Sequence, residues 1–173
     1  DLITIHVEMN IDEFEEKADK SSVTTEKNEY PVETIHKELI TNYSEKPDKQ
    51  TILIVEDNHD MLVYLQDSLI NEYNVYCAYN GDEALKKLDS MNKLHLVVSD
   101  IMMDKMDGYE FYDKFTNIDG YRAVPVIFLT AKNTQYEKIK ALKKGIIDYI
   151  KKPFDIEELK AKIHSIITLG EYQ

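Results

Sequence analysis

Four apolar runs in this chain stop on polar residues able to do chemistry. Ile52-Leu53-Ile54-Val55 ends on Glu56-Asp57, Leu94 to Val98 on Ser99-Asp100, Val124 to Leu129 on Thr130, and Ile146 to Ile150 on Lys151-Lys152. Three carboxylates brought together repel and raise one another's pKa unless a cation sits among them. Oxygen ligands of this kind suit Mg²⁺, which is commonly held by one or two carboxylates plus a phosphate. A carboxylate such as Asp100 is also a covalent nucleophile toward phosphoryl groups. That transfer rests on in-line positioning and on neutralising the charge of three oxygens. Mg²⁺, the Thr130 hydroxyl and the Lys152 ammonium would take one oxygen each. Pro153, next to Lys152, fixes the loop that carries it.

The groups converge only if the elements beneath them align. Continuous apolar runs with polar ends are the pattern of parallel strands buried on both faces, and Val75 to Tyr79 adds a fifth. Pro125 is confined to the start of its strand, where a missing N–H is tolerated. Between the strands lie helical stripes. Met61, Leu62, Leu65 and Leu69 share one face, with Asn58 or Asp60 as the cap. Ala84, Leu85, Leu88 and Met91 follow an Asn80-Gly81 turn, and Phe111, Tyr112 and Phe115 follow Asp107-Gly108. Ile139 and Leu142 mark a fourth helix that stops at Gly145. Asp155 caps the last helix, with Glu158 at capping-box spacing and Leu159, Ile163, Ile166 and Ile167 facing inward. Five β-α repeats predict an α/β fold, a parallel sheet covered on both faces, with its strands' carboxyl ends on one rim.

Composition bounds the function. A hydrophobic content of 43% and a charged content of 31% are those of a soluble globular protein. No apolar run approaches the ~20 residues that span a bilayer, so a cytoplasmic chain is expected. The net charge of −12 argues against direct nucleic-acid binding. A single cysteine, Cys77, excludes an internal disulfide and reads as a small core residue. The histidines lack metal-ligand spacing.

Upstream of Gln50 the pattern changes. Residues 1–10 alternate as an orphan strand, with Ile3, Ile5, Val7 and Met9 on one face, and the opening on Asp1 reads as a chain cut from something larger. Residues 11–49 read as an acidic linker; residues 1–49 together hold 13 acidic and 6 basic side chains. A short amphipathic helix is predicted over 32–43, and His36 reads as a solvated helix residue.

Four motifs then match one family. Ile54-Val55-Glu56-Asp57-Asn58, Ser99-Asp100-Ile101-Met102-Met103 with Met106-Asp107-Gly108, Leu129-Thr130-Ala131-Lys132, and Asp148-Tyr149-Ile150-Lys151-Lys152-Pro153-Phe154 closely resemble the receiver domains of two-component response regulators. The resemblance covers about residues 50–170. It implies a flavodoxin-like doubly wound sheet of order 2-1-3-4-5, an order known for receivers generally. It implies that Asp100 is the phosphoacceptor, taking its phosphoryl group from the phosphohistidine of a histidine kinase. Glu56, Asp57, Asp100 and the Met102 backbone carbonyl would hold Mg²⁺, Lys152 would bind the phosphoryl group across a cis Lys152-Pro153 bond, and Thr130 and Tyr149 would form the switch pair. Asp104 departs from the family, replacing its usual proline, and Ile146 replaces a small residue.

Residues 1–10 are similar to the final strand of a histidine-kinase ATP-binding domain. The order of strand, linker and receiver is that of hybrid sensor kinases, and the receiver is similar to those of gut Bacteroidetes hybrids followed by an AraC-type DNA-binding region. Output, expected to be transcriptional, would lie outside this chain. A homodimer through the fourth helix, fifth strand and last helix is expected to use Lys138, Asp148, Glu158 and Lys162. Other phosphate chemistries fit less well. An aspartate-nucleophile phosphatase needs a second aspartate where Met102 stands, and a flavodoxin needs a phosphate-cradling loop where Glu56 to Asp60 would repel one. A degenerate receiver acting only as an interaction module is the remaining alternative, and it would show no Mg²⁺-dependent phosphorylation.

Overall fold

The computed structural model describes residues 37–41, 44–131 and 146–171. Five strands, β1 (Thr51–Val55), β2 (Asn74–Ala78), β3 (Leu96–Asp100), β4 (Val126–Thr130) and β5 (Asp148–Lys151), form one parallel sheet in the order β2-β1-β3-β4-β5. The helices are α1 (His59–Leu69), α2 (Gly81–Lys87, prolonged by a 3₁₀ turn over Leu88–Ser90), α3 (Gly108–Thr116) and α4 (Ile156–Glu171). This is the flavodoxin-like order expected.

Strand alternation divides the core in two. Ile52, Ile54, Leu96, Val98, Ile127, Leu129 and Ile150 face Leu62, Leu65 and Leu69 of α1 and Leu159, Ile163 and Ile167 of α4. Leu53, Val55, Val97, Val126 and Phe128 face Ala84 of α2 and Phe111 and Phe115 of α3. Successive side chains of a strand point to opposite faces, so two apolar faces need two helical layers. Cys77 belongs to the first of these cores and is a free thiol.

Register places the rim. Ser99 lies between Val55 and Phe128, and Phe128 lies opposite Tyr149. Past that row Glu56 and Asp100 come one position on, Thr130 two and Lys152 three, so all four leave the sheet at its carboxyl edge.

Several local expectations are corrected. β3 begins at Leu96, β4 at Val126 and β5 at Asp148, because each predicted run began with residues that lead into its strand rather than pair in it. Pro125 precedes β4, and its carbonyl accepts from Val97 N–H at 3.0 Å. Asn80-Gly81 is no free turn. Asn80 is the N-cap of α2, its side chain accepting from Glu83 N–H at 2.9 Å, and Gly81 is the first helical residue. Of the two caps open for α1, Asn58 is the one used. Asp155 Oδ1 accepts from Glu157 N–H at the start of α4.

Residues 37–41 of the helix predicted over 32–43 are not helical. They and residues 44–49, expected in the acidic linker, lie against α1 and β2. Ile40 N–H and C=O pair with the Gln66 side chain at 2.8 and 2.9 Å, and Lys46 N–H donates to Asn74 Oδ1 at 2.8 Å. The orphan strand over 1–10, His36, and the fourth helix with Lys132, Lys138 and Gly145 lie outside the described residues. Among the described residues, no helix is long and apolar enough to cross a membrane.

Candidate functional site

Glu56 leaves β1 on the hydrogen bond from its own N–H to Ala78 C=O, 3.0 Å, which keeps the chain in the sheet one residue past the strand. Its carboxyl is 1% exposed, with Oε1 accepting from Asn58 N–H at 3.1 Å. Asp57 follows and is exposed. Asp100 is the last residue of β3 and 5% exposed. Lys152, one residue beyond β5, enters from the far side, its N–H donating to Thr130 C=O at 2.7 Å. The Lys152-Pro153 peptide is cis.

These residues meet. Lys152 Nζ donates to Glu56 Oε2 at 2.7 Å and to Asp100 Oδ2 at 2.9 Å, while Asp100 Oδ1 accepts from Met102 N–H at 3.2 Å. Glu56, Asp57 and Asp100 each offer one oxygen within 4.8 Å of the other two. The lysine cation thus answers two carboxylates of three. Burial pushes the Glu56 carboxyl above its ordinary range, and the hydrogen bonds from Lys152 and Asn58 do not cancel that rise. Burial pulls the Lys152 ammonium down, but its hydrogen bonds to Glu56 and Asp100 outweigh this and hold it above the usual lysine range.

Residues 52–164 match the response regulator receiver domain. The chain belongs to that family. It is 34% identical over 121 residues to a hybrid signal transduction histidine kinase D of Dictyostelium discoideum, covering 70% of this chain and 8% of that protein. It is 40% identical over 117 residues to the response regulator ArlR of Staphylococcus aureus, covering 67% of this chain and 52% of that one. This receiver superimposes on the chemotaxis protein CheY4 of Vibrio cholerae with a TM-score of 0.65 and 25% identity, over 68% of this chain and 98% of that one. The chain thus spans from under a tenth to about half of these curated relatives.

The receiver's other expected residues fall around the same rim. Thr130 ends β4 and is 4% exposed. Tyr149, on β5 opposite Phe128, is half-buried against the α2–α3 core. Met102 turns its amide to Asp100 and leaves its side chain 58% exposed.

Two features of the β3–α3 loop were missed by sequence reasoning. A Cβ on Gly108 would lie 2.4 Å from Asp100 C=O and 2.9 Å from Ile101 Cα, so glycine is needed for the helix to approach the acidic strand end. Its place in the Met106-Asp107-Gly108 motif, next to the N-cap of α3, gave the signal. Where the family's proline is replaced, Asp104 C=O accepts from Met106 N–H at 2.9 Å across Lys105, whose φ is +69°. That is a tight γ-turn. Met106, 3% exposed, then anchors the loop in the core.

Proposed function

We propose that the receiver, over residues 50–170, accepts a phosphoryl group on Asp100 from a histidine kinase's phosphohistidine and passes the resulting change to an output region outside the chain. One observation carries the reading: a buried strand-end aspartate whose two oxygens are held by Lys152 and the Met102 amide, with Glu56 and Asp57 beside it. In the transfer one Asp100 oxygen attacks phosphorus and the P–N bond to imidazole breaks. Its electron pair returns to the imidazole nitrogen, and an acyl phosphate remains.

The all-oxygen donor set of Glu56, Asp57 and Asp100 fits Mg²⁺, with the Met102 carbonyl as a further ligand. Such an ion would neutralise charge on the transferred group. Lys152 releases Asp100 and follows the incoming phosphoryl oxygens. Thr130 and Tyr149 form the switch pair, the hydroxyl turning to the phosphoryl group and the ring inward. On this reading the domain is a self-phosphorylating signalling module, not an enzyme with a turnover substrate. The parent protein would be a hybrid histidine kinase, with residues 1–10 and 11–49 as kinase strand and linker, working in the cytoplasm and controlling transcription.

Incubation with acetyl phosphate and Mg²⁺ tests the reading. A mass gain that EDTA and Asp100→Asn both abolish is expected; a gain that survives Asp100→Asn overturns it.

A further inference from the structure

Residues 37–41 and 44–49 grip α1 and the adjoining sheet edge at three separate places. The first is the Gln66 side chain, 3% exposed, which pairs with both backbone polar groups of Ile40 as a neighbouring strand would. Leu39 packs beside it against the α1–α4 core, and Lys37 pairs with Asp67 at 2.9 Å. The second is at the end of the helix. The last turn of α1 has no basic residue of its own, and Lys49 Nζ supplies the cation, donating to Ile70 C=O at 3.2 Å and Asn71 C=O at 2.6 Å. Cations there satisfy free carbonyls and oppose the helix dipole. The third fixes the strap to the sheet edge. Asn74, 3% exposed, donates to Lys46 C=O and Lys49 C=O, both at 3.0 Å, and Glu45 accepts from the Tyr76 hydroxyl at 3.0 Å.

The opposite end of α1 belongs to the acidic site. Asn58 caps the helix through its side chain, and its own N–H holds Glu56 Oε1. A helix of 11 residues is a rod of about 16 Å, so the grips at one end and the Glu56 contact at the other are joined by one rigid element. The strap is the weaker partner. Ile40 is 49% exposed, the Lys37–Asp67 pair is open to solvent, and a cavity of about 450 Å³ separates residues 38–41 from Tyr76 and Cys77 of β2. Segments held by few apolar contacts open before the sheet does.

We propose that residues 37–41 and 44–49 form a releasable strap which holds α1, and through Asn58 the Glu56 carboxylate, so that loosening the strap weakens Mg²⁺ binding and phosphorylation at Asp100. The proposal rests on the phosphoacceptor reading above.

The test uses the full chain with Leu39→Asp, Lys49→Ala and Lys49→Arg. Amide hydrogen exchange is followed along α1, Mg²⁺ affinity by calorimetry, and labelling by acetyl phosphate. Leu39→Asp and Lys49→Ala are expected to speed exchange about tenfold through α1 as far as Met61 and Leu62. They are expected to weaken Mg²⁺ binding about fivefold. Labelling at low Mg²⁺ should fall in step, and Lys49→Arg should behave as the parent. Faster exchange confined to the strap, or to the last turn of α1, with Mg²⁺ affinity unchanged overturns the proposal. Unchanged exchange throughout overturns it too, since the strap then grips nothing. A parent that binds Mg²⁺ with the strap dependence described but never labels defeats the phosphoacceptor reading and leaves the coupling to the metal site standing.

Discussion

Burial pushes the Glu56 carboxyl up, with the charge of Asp100 adding to the rise, and this ties a residue of the candidate metal site to stability. A carboxyl raised above its unfolded value, here 4.5, stabilises the fold fully below that pH, and the contribution disappears as pH rises through the folded value. Above that folded value the metal-free receiver has therefore lost this contribution. Glu56→Gln is expected to raise the metal-free melting temperature at pH 7 by about 2–4 °C, the equivalent of roughly 1 kcal/mol in a chain of this size. The gain should shrink as pH falls toward 4.5. Calorimetry with EDTA checks it, and a destabilised variant at pH 7 would mean that the ion pair with Lys152 dominates instead. Glu56, Asp57, Asp100, Thr130 and Lys152 were legible in the sequence because each ends an apolar run. The paired hydrogen bonds from Lys152 to Glu56 and Asp100 were not, since they join residues 96 and 52 positions apart.

At the scale of elements, the β3–α3 loop carries the most sequence-specific constraints. Gly108→Ala would force a methyl group against Asp100 C=O, and overpacking of that kind costs about 1–3 kcal/mol. Denaturant unfolding should show the loss, together with slower labelling of Asp100; full stability and labelling would mean that α3 can shift freely. Lys105 adopts a left-handed conformation that glycine takes without strain. Lys105→Gly should stabilise the chain by roughly 1 kcal/mol in the same assay, and a loss would mean that the lysine side chain contributes there. Strand and helix identity followed from periodicity. Their edges did not, because apolar lead-in residues such as Leu94 and Val124 continue the pattern without joining the ladder. Asn80-Gly81 reads as a turn by residue type alone; only the hydrogen bond to Glu83 distinguishes a helix cap.

For the whole molecule, two apolar sheet faces predicted the doubly wound architecture, and the order of the strands followed from the family. The packing of residues 37–41 and 44–49 on α1 and β2 was hidden because helical spacing at Leu39 and Ile40 suggested a helix and the rest is polar. It is held by Gln66 and Asn74, buried amides that look like surface residues in a sequence. The homodimer expected through the fourth helix, β5 and α4 meets one constraint: Asp148 already pairs with Lys162 within the chain. Association would draw on Glu158 and on Ile147, which is 52% exposed. Light scattering with Mg²⁺ and beryllofluoride should then show a doubled mass, and an unchanged mass would discard the dimer.

The most direct test of Asp100 as phosphoacceptor is chemical. After incubation with a phosphohistidine donor and Mg²⁺, borohydride reduction of the acyl phosphate and peptide mapping should place the modified side chain at Asp100. Modification at Asp57, at Asp104 or at no carboxylate would contradict it.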